Sequence, residues 1–231
     1  KLGRYSAALA LCADVFMGVL GGRLKFKEKL SARLGDVLSY LYIASAMLKR
    51  YEDTGRPEAD RPLLAWGFHE CMWLIQNALD GAIRNFPLRP VAWLLRALVF
   101  PLGRREVPPS DRLGRRVAAL LTAPNEARDR LGEWIYRTPT ANNAVGRLDA
   151  LLPEVIAAEP VERKFLKAQK SGQLKAYHWE GQLVQAEAAG VLSQAEAALL
   201  RRVREASFEF ISVDDFTTDE MRAFRIRAGR D

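Results

Sequence analysis

Two long stripes of apolar residues constrain the fold more than any other feature of this sequence. Between residues 30 and 51, and again between 64 and 86, apolar side chains recur at alternating spacings of four and three. The stripes consist of Leu30, Leu34, Val37, Leu41, Ala44, Leu48 and Tyr51, and of Leu64, Phe68, Cys71, Ile75, Ala78, Ala82 and Phe86. Because this spacing places each stripe on one side of an α-helix, it predicts two long core helices.

The remaining segments also have helical patterns. The polar break at 52–60, with Asp60 as a candidate N-cap, predicts that the two core helices pack antiparallel. A helix before Gly21 and another around 90–100 complete a bundle of about four helices. The prolines of the second half (108, 109, 124, 139, 153 and 160) predict shorter helices, and Ser193 with Glu196 has the pattern of a capping box.

These patterns predict an all-α protein with an added C-terminal helical layer. We expect a bundle over residues 1–121, an additional helical region over 122–212, and a basic tail over 213–231. No uninterrupted apolar run approaches the about 20 residues that span a bilayer, and no signal peptide is recognisable. We therefore expect an intracellular protein. The first residues already have a helical pattern and no initiator methionine, so the chain is interpreted as part of a longer one.

Composition ranks the partners of this chain. Its 35 basic and 28 acidic residues give a net charge of +7, which favours acidic surfaces such as lipid headgroups. Nucleic acid ranks last, because the basic residues are dispersed and no short recognition helix follows a tight turn. A solvated, mildly basic surface explains the same charge without any partner.

Residues suited to catalysis or metal binding are sparse. Cys12 and Cys71 lie among apolar neighbours and have no metal-ligand spacing, and the two histidines are isolated, so no metal site is expected. Acidic pairs occur at Glu52-Asp53 and Asp214-Asp215. Both pairs lie beside turn residues, where carboxylates are usually capping or solvated. We expect no catalytic residue among them.

The segment LRPVAWLLRALVFPLGRR, residues 88–105, mixes large apolar residues with arginines. If residues 90–102 are helical, one side carries Val91, Leu94, Leu95, Leu98 and Leu102 as a core face. The opposite side then carries Arg89, Trp93, Arg96 and Phe100, and Arg104 and Arg105 follow the helix. Rings beside cations are typical of a membrane interface, but Trp93 and Phe100 packing under the second helical layer remains the alternative. Such a helix extends only about 17 Å, too short to span a bilayer of about 30 Å.

Ordered blocks along the chain resemble a known family. LGGRLKFKEKLSARLGDVLSYLYIASAMLKRYEDTGRPEADRPLLAWG, NFPLRPVAWLLRALVFPLGRREVPPSDRLGRRVAALL, AVGRLDALLPEVIAAEP and ISVDDF are similar to the C-terminal part of the long bacterial fatty acyl-CoA dehydrogenases of the FadE type. The blocks follow one another over nearly the whole chain. The resemblance therefore implies the helical bundle of that family, with an added helical layer.

The resemblance also implies an activity. Members oxidise fatty acyl-CoA to trans-2-enoyl-CoA in β-oxidation, with FAD as cofactor and electron-transfer flavoprotein as acceptor. The FAD site and the catalytic glutamate are expected upstream of Lys1, so this segment alone is expected to be inactive. YEDTG at 51–55 resembles a Tyr-Glu-Gly-Thr motif of shorter members, but Asp53 replaces the glycine and the run closes a helix, so Glu52 is rejected as the base.

The resemblance further implies a homo-oligomer in the bacterial cytoplasm, or peripheral on the inner face of the cytoplasmic membrane. There Arg89, Trp93, Arg96, Phe100, Arg104 and Arg105 would contact the membrane or a partner. A stand-alone, non-enzymatic helical interaction or membrane-docking module is the alternative function.

Overall fold

The structure is a computed structural model that describes residues 1–212 and 216–227, with side chains to residue 223. The helices are α1 Leu2–Leu20, α2 Glu28–Asp53, α3 Arg61–Arg84, α4 Arg89–Val99, α5 Asp111–Leu121, α6 Glu126–Leu131, α7 Ala144–Lys170, α8 Trp179–Ala188, α9 Gln194–Ile211 and α10 Thr218–Arg227. No β-strand occurs among the described residues. The predicted all-α class is confirmed. Chain contacts divide the molecule into unit 1 (Lys1–Leu121 with Asn125–Ala127) and unit 2 (Thr122–Pro124 with the residues from Arg128 onward).

The two predicted core helices, α2 and α3, form the centre of unit 1. Met47 of α2 reaches Gly67 of α3, and Arg33 of α2 reaches Gly81. Because the residue numbers rise in one helix as they fall in the other, α2 and α3 are antiparallel, as expected. Members of both predicted stripes are buried between them, including Val37, Leu41, Ala44, Ile75 and Ala82.

Helix α1 packs against α2 and α3 and completes the core of unit 1. It buries Tyr5, Ala8, Cys12 and Phe16, and the Phe16 ring stacks on Phe86 with 4.4 Å between ring centroids. Leu2–Phe26 is also long and apolar enough, by length and composition, to cross a membrane. Arg4 and Asp14 interrupt this stretch, so it is not an uninterrupted apolar run, but its mean hydropathy makes it a candidate span that the sequence analysis did not identify.

Unit 2 has a separate core between α7, α8 and α9. Its buried side chains are alanines and leucines with Val161 and Phe165, including Ala158, Ala186 and Leu183. Helix α9 begins with the predicted capping box, in which the Ser193 hydroxyl accepts from the Glu196 N–H and the Glu196 carboxylate accepts from the Ser193 N–H. Exposed ion pairs also join α7 to α9, including Lys164–Glu196 at 2.5 Å. Within the segment interpreted as a basic tail, residues 218–227 form α10.

Helix α7 contradicts the prediction that prolines divide the second half into short helices. It runs for 27 residues through Pro153 and Pro160. Each proline removes one hydrogen bond and crowds the preceding turn, at a cost of about 3 kcal/mol. Burial of Ala158, Val161 and Phe165 against the rest of unit 2 offsets that cost, so tertiary packing outweighs local propensity here.

Candidate functional site

Helix α4 and the turn after it present an apolar strip to solvent, here called the α4 stripe, formed by Trp93, Leu94 and Leu98 of the helix and Leu102 of the turn. All four side chains are more than half exposed, and Trp93 is 67% exposed. The helix begins with Pro90 in its first turn, where a missing N–H costs nothing, and ends where the Phe100 N–H donates to the Arg96 carbonyl. Pro101 follows directly. Local sequence therefore fixes both ends of this helix.

The buried side of α4 differs from the predicted one. Ala92, Leu95 and Val99 face the core of unit 1, and Phe100 is buried there at 6% exposure. The prediction that Leu94, Leu98 and Leu102 belong to the core face is therefore wrong. Phe100, for which membrane contact and packing under a second helical layer were both left open, lies in the core of unit 1 instead. Successive side chains of an α-helix point about 100° apart. The side of α4 that begins at Ala92 packs on α3, and the side that begins at Leu94 does not. Phe100 follows the last helical turn and bends into the core.

Two of the predicted contact arginines are tied to a buried carboxylate. Asp80 of α3 is 8% exposed and accepts from Arg96 at 2.6 Å and from Arg104 at 3.1 Å. Both guanidiniums are about half exposed. One carboxylate thus neutralises one of the two charges and holds α4 and the segment after it against α3. Arg96 and Arg104 act first as structural anchors.

The other two predicted arginines are less constrained. Arg89 donates to the Arg84 carbonyl at 2.8 Å, and Arg105 donates to the Leu102 carbonyl at 3.3 Å. Neither forms an ion pair within the part of the chain that the structure describes. Their charges are therefore available at the two ends of the α4 stripe.

The segment after α4 is fastened along α3 by a second polar cluster. The Gln76 amide donates to the Glu106 carbonyl at 3.0 Å and accepts from the Glu106 N–H at 2.9 Å. The Glu106 carboxylate accepts from Lys1 at 2.7 Å and from the Tyr5 hydroxyl at 3.1 Å. Further along, Gly114 of α5 faces the Trp66 indole. Residues 104–114 thus run antiparallel to α3, from Asp80 past Gln76 towards Trp66.

The electrostatics of this cluster favour structural roles. Burial by itself raises the pKa of the Glu106 carboxyl, but the Lys1 ammonium, the Tyr5 hydroxyl and Arg4 together outweigh it and lower that pKa. Burial, reinforced by the Glu106 charge, raises the pKa of Tyr5 to about 12. Burial also raises the pKa of the Cys12 thiol to about 11. The phenol and the thiol therefore stay protonated at neutral pH, which suits a hydrogen-bond donor and a core residue.

Sequence reasoning missed Asp80, Gln76 and Glu106. The available signal was a polar residue inside an otherwise apolar stripe, since Gln76 follows Ile75 and Asp80 follows Leu79 in α3. A buried carboxylate needs a partner, and the arginines that follow Asp80 in the sequence, at 84, 89, 96, 104 and 105, are the candidates. Pairing these arginines with Asp80 would have predicted a structural role for Arg96 and Arg104 in place of a surface contact.

Of the two acidic pairs considered for catalysis, one forms ion pairs and the other is not described. Glu52 pairs with Arg56 at 2.5 Å and Asp53 pairs with Lys49, all four side chains being exposed at the end of α2. Asp214 and Asp215 lie outside the described residues. In the described chain, no group of three or more His, Cys, Asp or Glu side chains is placed to hold a metal ion.

Comparison with known families agrees with this helical architecture. Residues 1–216 match the family described as acyl-CoA dehydrogenase, C-terminal, bacterial type. This chain belongs to that family. No solved structure matches the chain. The suspected resemblance is therefore confirmed at the level of the family, which is an oxidoreductase family.

The family generally uses FAD, and the buried polar groups of unit 1 do not form a flavin site. In unit 1 the buried polar groups Gln76, Asp80 and Glu106 are bonded to one another or to neighbouring cations. None of these groups is left to bind an isoalloxazine ring or a pyrophosphate. We therefore assign no chemical step to a flavin within this chain.

Proposed function

We propose that this chain is the C-terminal helical part of an FAD-dependent acyl-CoA dehydrogenase that oxidises fatty acyl-CoA to trans-2-enoyl-CoA in β-oxidation. Electrons would pass to electron-transfer flavoprotein, and the enzyme would be a homo-oligomer. Family membership over residues 1–216 is the observation that supports this proposal. The flavin and the catalytic base belong, in this proposal, to parts of the enzyme other than these helices.

The role proposed for the chain itself is to complete the bundle and to present a docking surface. The polar groups inside unit 1 support a non-catalytic role, because each serves to hold one helix against another. Asp80 fixes α4, and Glu106 with Gln76 fixes the segment that leads to α5. An isolated preparation of this chain should therefore be inactive.

The proposed docking partner is the anionic inner face of the bacterial cytoplasmic membrane. The α4 stripe supplies apolar side chains, and Arg89 and Arg105 supply charges at its two ends. The outer side of α5 adds Arg112, Arg115 and Arg116, which are exposed and form no ion pair among the described residues. Each such cation near an anionic leaflet contributes about 1 kcal/mol. Apolar side chains flanked by cations match the composition of a peripheral membrane contact.

The enzyme proposal is tested on the native protein, isolated from its own host with an antibody raised against this chain. We expect a polypeptide longer than 231 residues with a visible flavin spectrum that bleaches when a saturated fatty acyl-CoA is added without oxygen. The products should include the trans-2-enoyl-CoA. A colourless protein, or a flavin that no acyl-CoA reduces, would contradict the proposal and favour a stand-alone helical module.

The docking proposal is tested by replacing Trp93, Leu94 and Leu98 together with serine. We expect weaker sedimentation with vesicles that contain anionic lipid, because the variant loses exposed apolar area without touching the core. The matched control replaces Leu38, Tyr42 and Ile43, three exposed apolar residues of α2, with serine. Equal loss in both variants would contradict a specific role of α4. Unchanged vesicle binding with a changed oligomeric state would assign the α4 stripe to a second copy of the enzyme.

A further inference from the structure

Unit 2 contains an open groove between α7, α8 and α9, here called the α9 groove. Its volume is about 410 Å³, within the range of about 300–1,000 Å³ for small-molecule sites. Most of its wall is apolar, with Ala158, Phe165 and Leu200 from the core and Leu166 and Phe208 at more exposed positions. An occupant of this groove would therefore be largely apolar.

A preoriented cation lies in the same wall. The Arg204 guanidinium is 4.4 Å from the centroid of the Trp179 ring and 4.9 Å from that of Phe208, so it contacts two rings. Trp179 is itself placed by an edge contact with buried Phe165, at 6.0 Å between centroids. Arg204 forms no ion pair within the described part of the chain. Its N–H groups therefore remain free to bind a planar anion, the arrangement in which arginine recognises carboxylates.

Two further polar side chains define what the groove would accept. Ser207 lies one helical turn after Arg204 and lines the same wall, so its hydroxyl adds a second donor on that side. Glu162 lines the groove from α7 and forms no ion pair with Arg204. Gln169 of α7 also lines the groove, and its amide donates to Gln182 at 3.1 Å. Arg204 and Ser207 are thus together on α9, and Glu162 and Gln169 are on α7. An anionic head group would bind at the α9 wall, with its tail along the apolar surface.

From this arrangement we propose that the α9 groove binds a linear aliphatic carboxylate, with the head group on Arg204 and Ser207 and the chain on the apolar wall. The proposal does not rest on the flavin chemistry proposed above. Binding should strengthen with chain length, by at most about fourfold for each methylene that leaves water. Binding should also require the negative charge of the carboxylate, because both donors, Arg204 and Ser207, face the head group.

Titration calorimetry of the full-length protein with dodecanoate, below its micelle concentration, tests the proposal. We expect saturable binding at one site per chain, weaker binding of octanoate, and no binding of dodecyltrimethylammonium at that site. Arg204→Gln should weaken dodecanoate binding by at least about tenfold, since it removes charge-assisted hydrogen bonds. Ser207→Ala should weaken it less, by severalfold, and provides a second variant with a small structural change.

The matched control is Arg202→Gln, which removes the same charge from the same helix but outside the groove. Arg202 pairs with Glu154 at the surface, and far-UV circular dichroism checks that the fold is kept. Binding to this variant should match the unchanged protein, and Glu162→Gln should bind as well or better. Equal loss in the Arg202 and Arg204 variants, equal binding of the cationic amphiphile, or no saturable binding would overturn the proposal. None of these results depends on whether the enzyme contains a flavin.

Discussion

Unit 1 and unit 2 are both helical, and they are stabilised by different kinds of contact. Unit 1 buries large side chains such as Phe16, Met72 and Phe86, together with the carboxylate of Asp80. Unit 2 buries alanine and leucine side chains with Val161 and Phe165, and salt bridges along the outside of α7 and α9 join its two longest helices. The difference shows two ways to fix helix order, one by polar bonds inside the core and one by an apolar core with ion pairs at its surface.

The largest expected effect comes from Phe86→Ala in unit 1. Phe86 is 1% exposed and stacks on Phe16, so truncation removes a buried ring and leaves a cavity. We expect the free energy of unfolding to fall by about 3–5 kcal/mol. Urea denaturation followed by circular dichroism measures it, with Leu38→Ala on the exposed side of α2 as the control. A loss below about 1 kcal/mol would contradict a core that depends on large side chains.

Asp80→Ala should have the next largest effect. The variant leaves the Arg96 and Arg104 guanidiniums without their shared acceptor, although both are half exposed and can turn to water. We therefore expect a loss of about 2–3 kcal/mol, below the about 3–5 kcal/mol of a fully buried broken pair. Glu180→Gln is the comparison in unit 2, since it removes the exposed acceptor of Arg201 and should cost at most about 1 kcal/mol. Equal losses in the two urea transitions would remove the distinction between the units.

Gly146→Ala tests the close approach between the start of α7 and the backbone of Thr138 in unit 2. A Cβ at this position would collide with the carbonyl oxygen of Thr138, which the Asn143 side chain holds in place while it caps the Gly146 N–H. We expect a loss of about 1–3 kcal/mol in urea denaturation. In Gly35→Ala of unit 1 a Cβ meets nothing, so helix propensity should raise stability by about 0.5–1 kcal/mol. A loss of stability in Gly146→Ala with a gain in Gly35→Ala would show that the unit 2 glycine is required by a close contact and the unit 1 glycine is not.

The smallest expected effect is a change in how the stability of unit 1 depends on pH. The pKa of Glu106 is lowered in the folded protein, so its contribution to stability is present above the unfolded pKa of about 4.3 and is lost as the pH falls through the folded pKa. Urea midpoints measured from about pH 6 down to about pH 3 should therefore fall less steeply in Glu106→Gln than in the unchanged protein. Parallel curves would show that other carboxylates carry the dependence.

The periodic parts of the fold could be predicted from the sequence. Seven-residue spacing identifies α2 and α3 because both helices bury one continuous side, and the Ser193 capping box marks the start of α9. The orientation of α4 could not be predicted, because leucines occur on both of its sides and the choice depends on α3. The length of α7 could not be predicted because Pro153 and Pro160 suggest helix ends. Only the tertiary contacts of residues such as Phe165 show that packing outweighs the energetic cost of the two prolines.

The candidate sites were less predictable than the helices. The sequence left open whether Trp93 and Phe100 contact a membrane or pack under a helical layer. The structure exposes Trp93 and buries Phe100, which follows the last helical turn, where periodicity no longer applies. The Asp80 pairs with Arg96 and Arg104 and the contact of Arg204 with Trp179 join residues that lie 16 to 25 positions apart in the chain and in different elements. Such pairs depend on tertiary structure, which residue spacing within one helix does not specify.

The two prolines of α7 have a consequence for curvature. Pro153 and Pro160 are seven residues apart, nearly two full turns, so both occupy almost the same side of the helix, and both are exposed. The missing hydrogen bonds therefore lie on the solvent side, and a helix weakened there bends with its convex side outward. The inner side, which carries Ala158 and Phe165, would then be concave towards α9. Two residues that contact no ligand would thus help to set the width of the α9 groove.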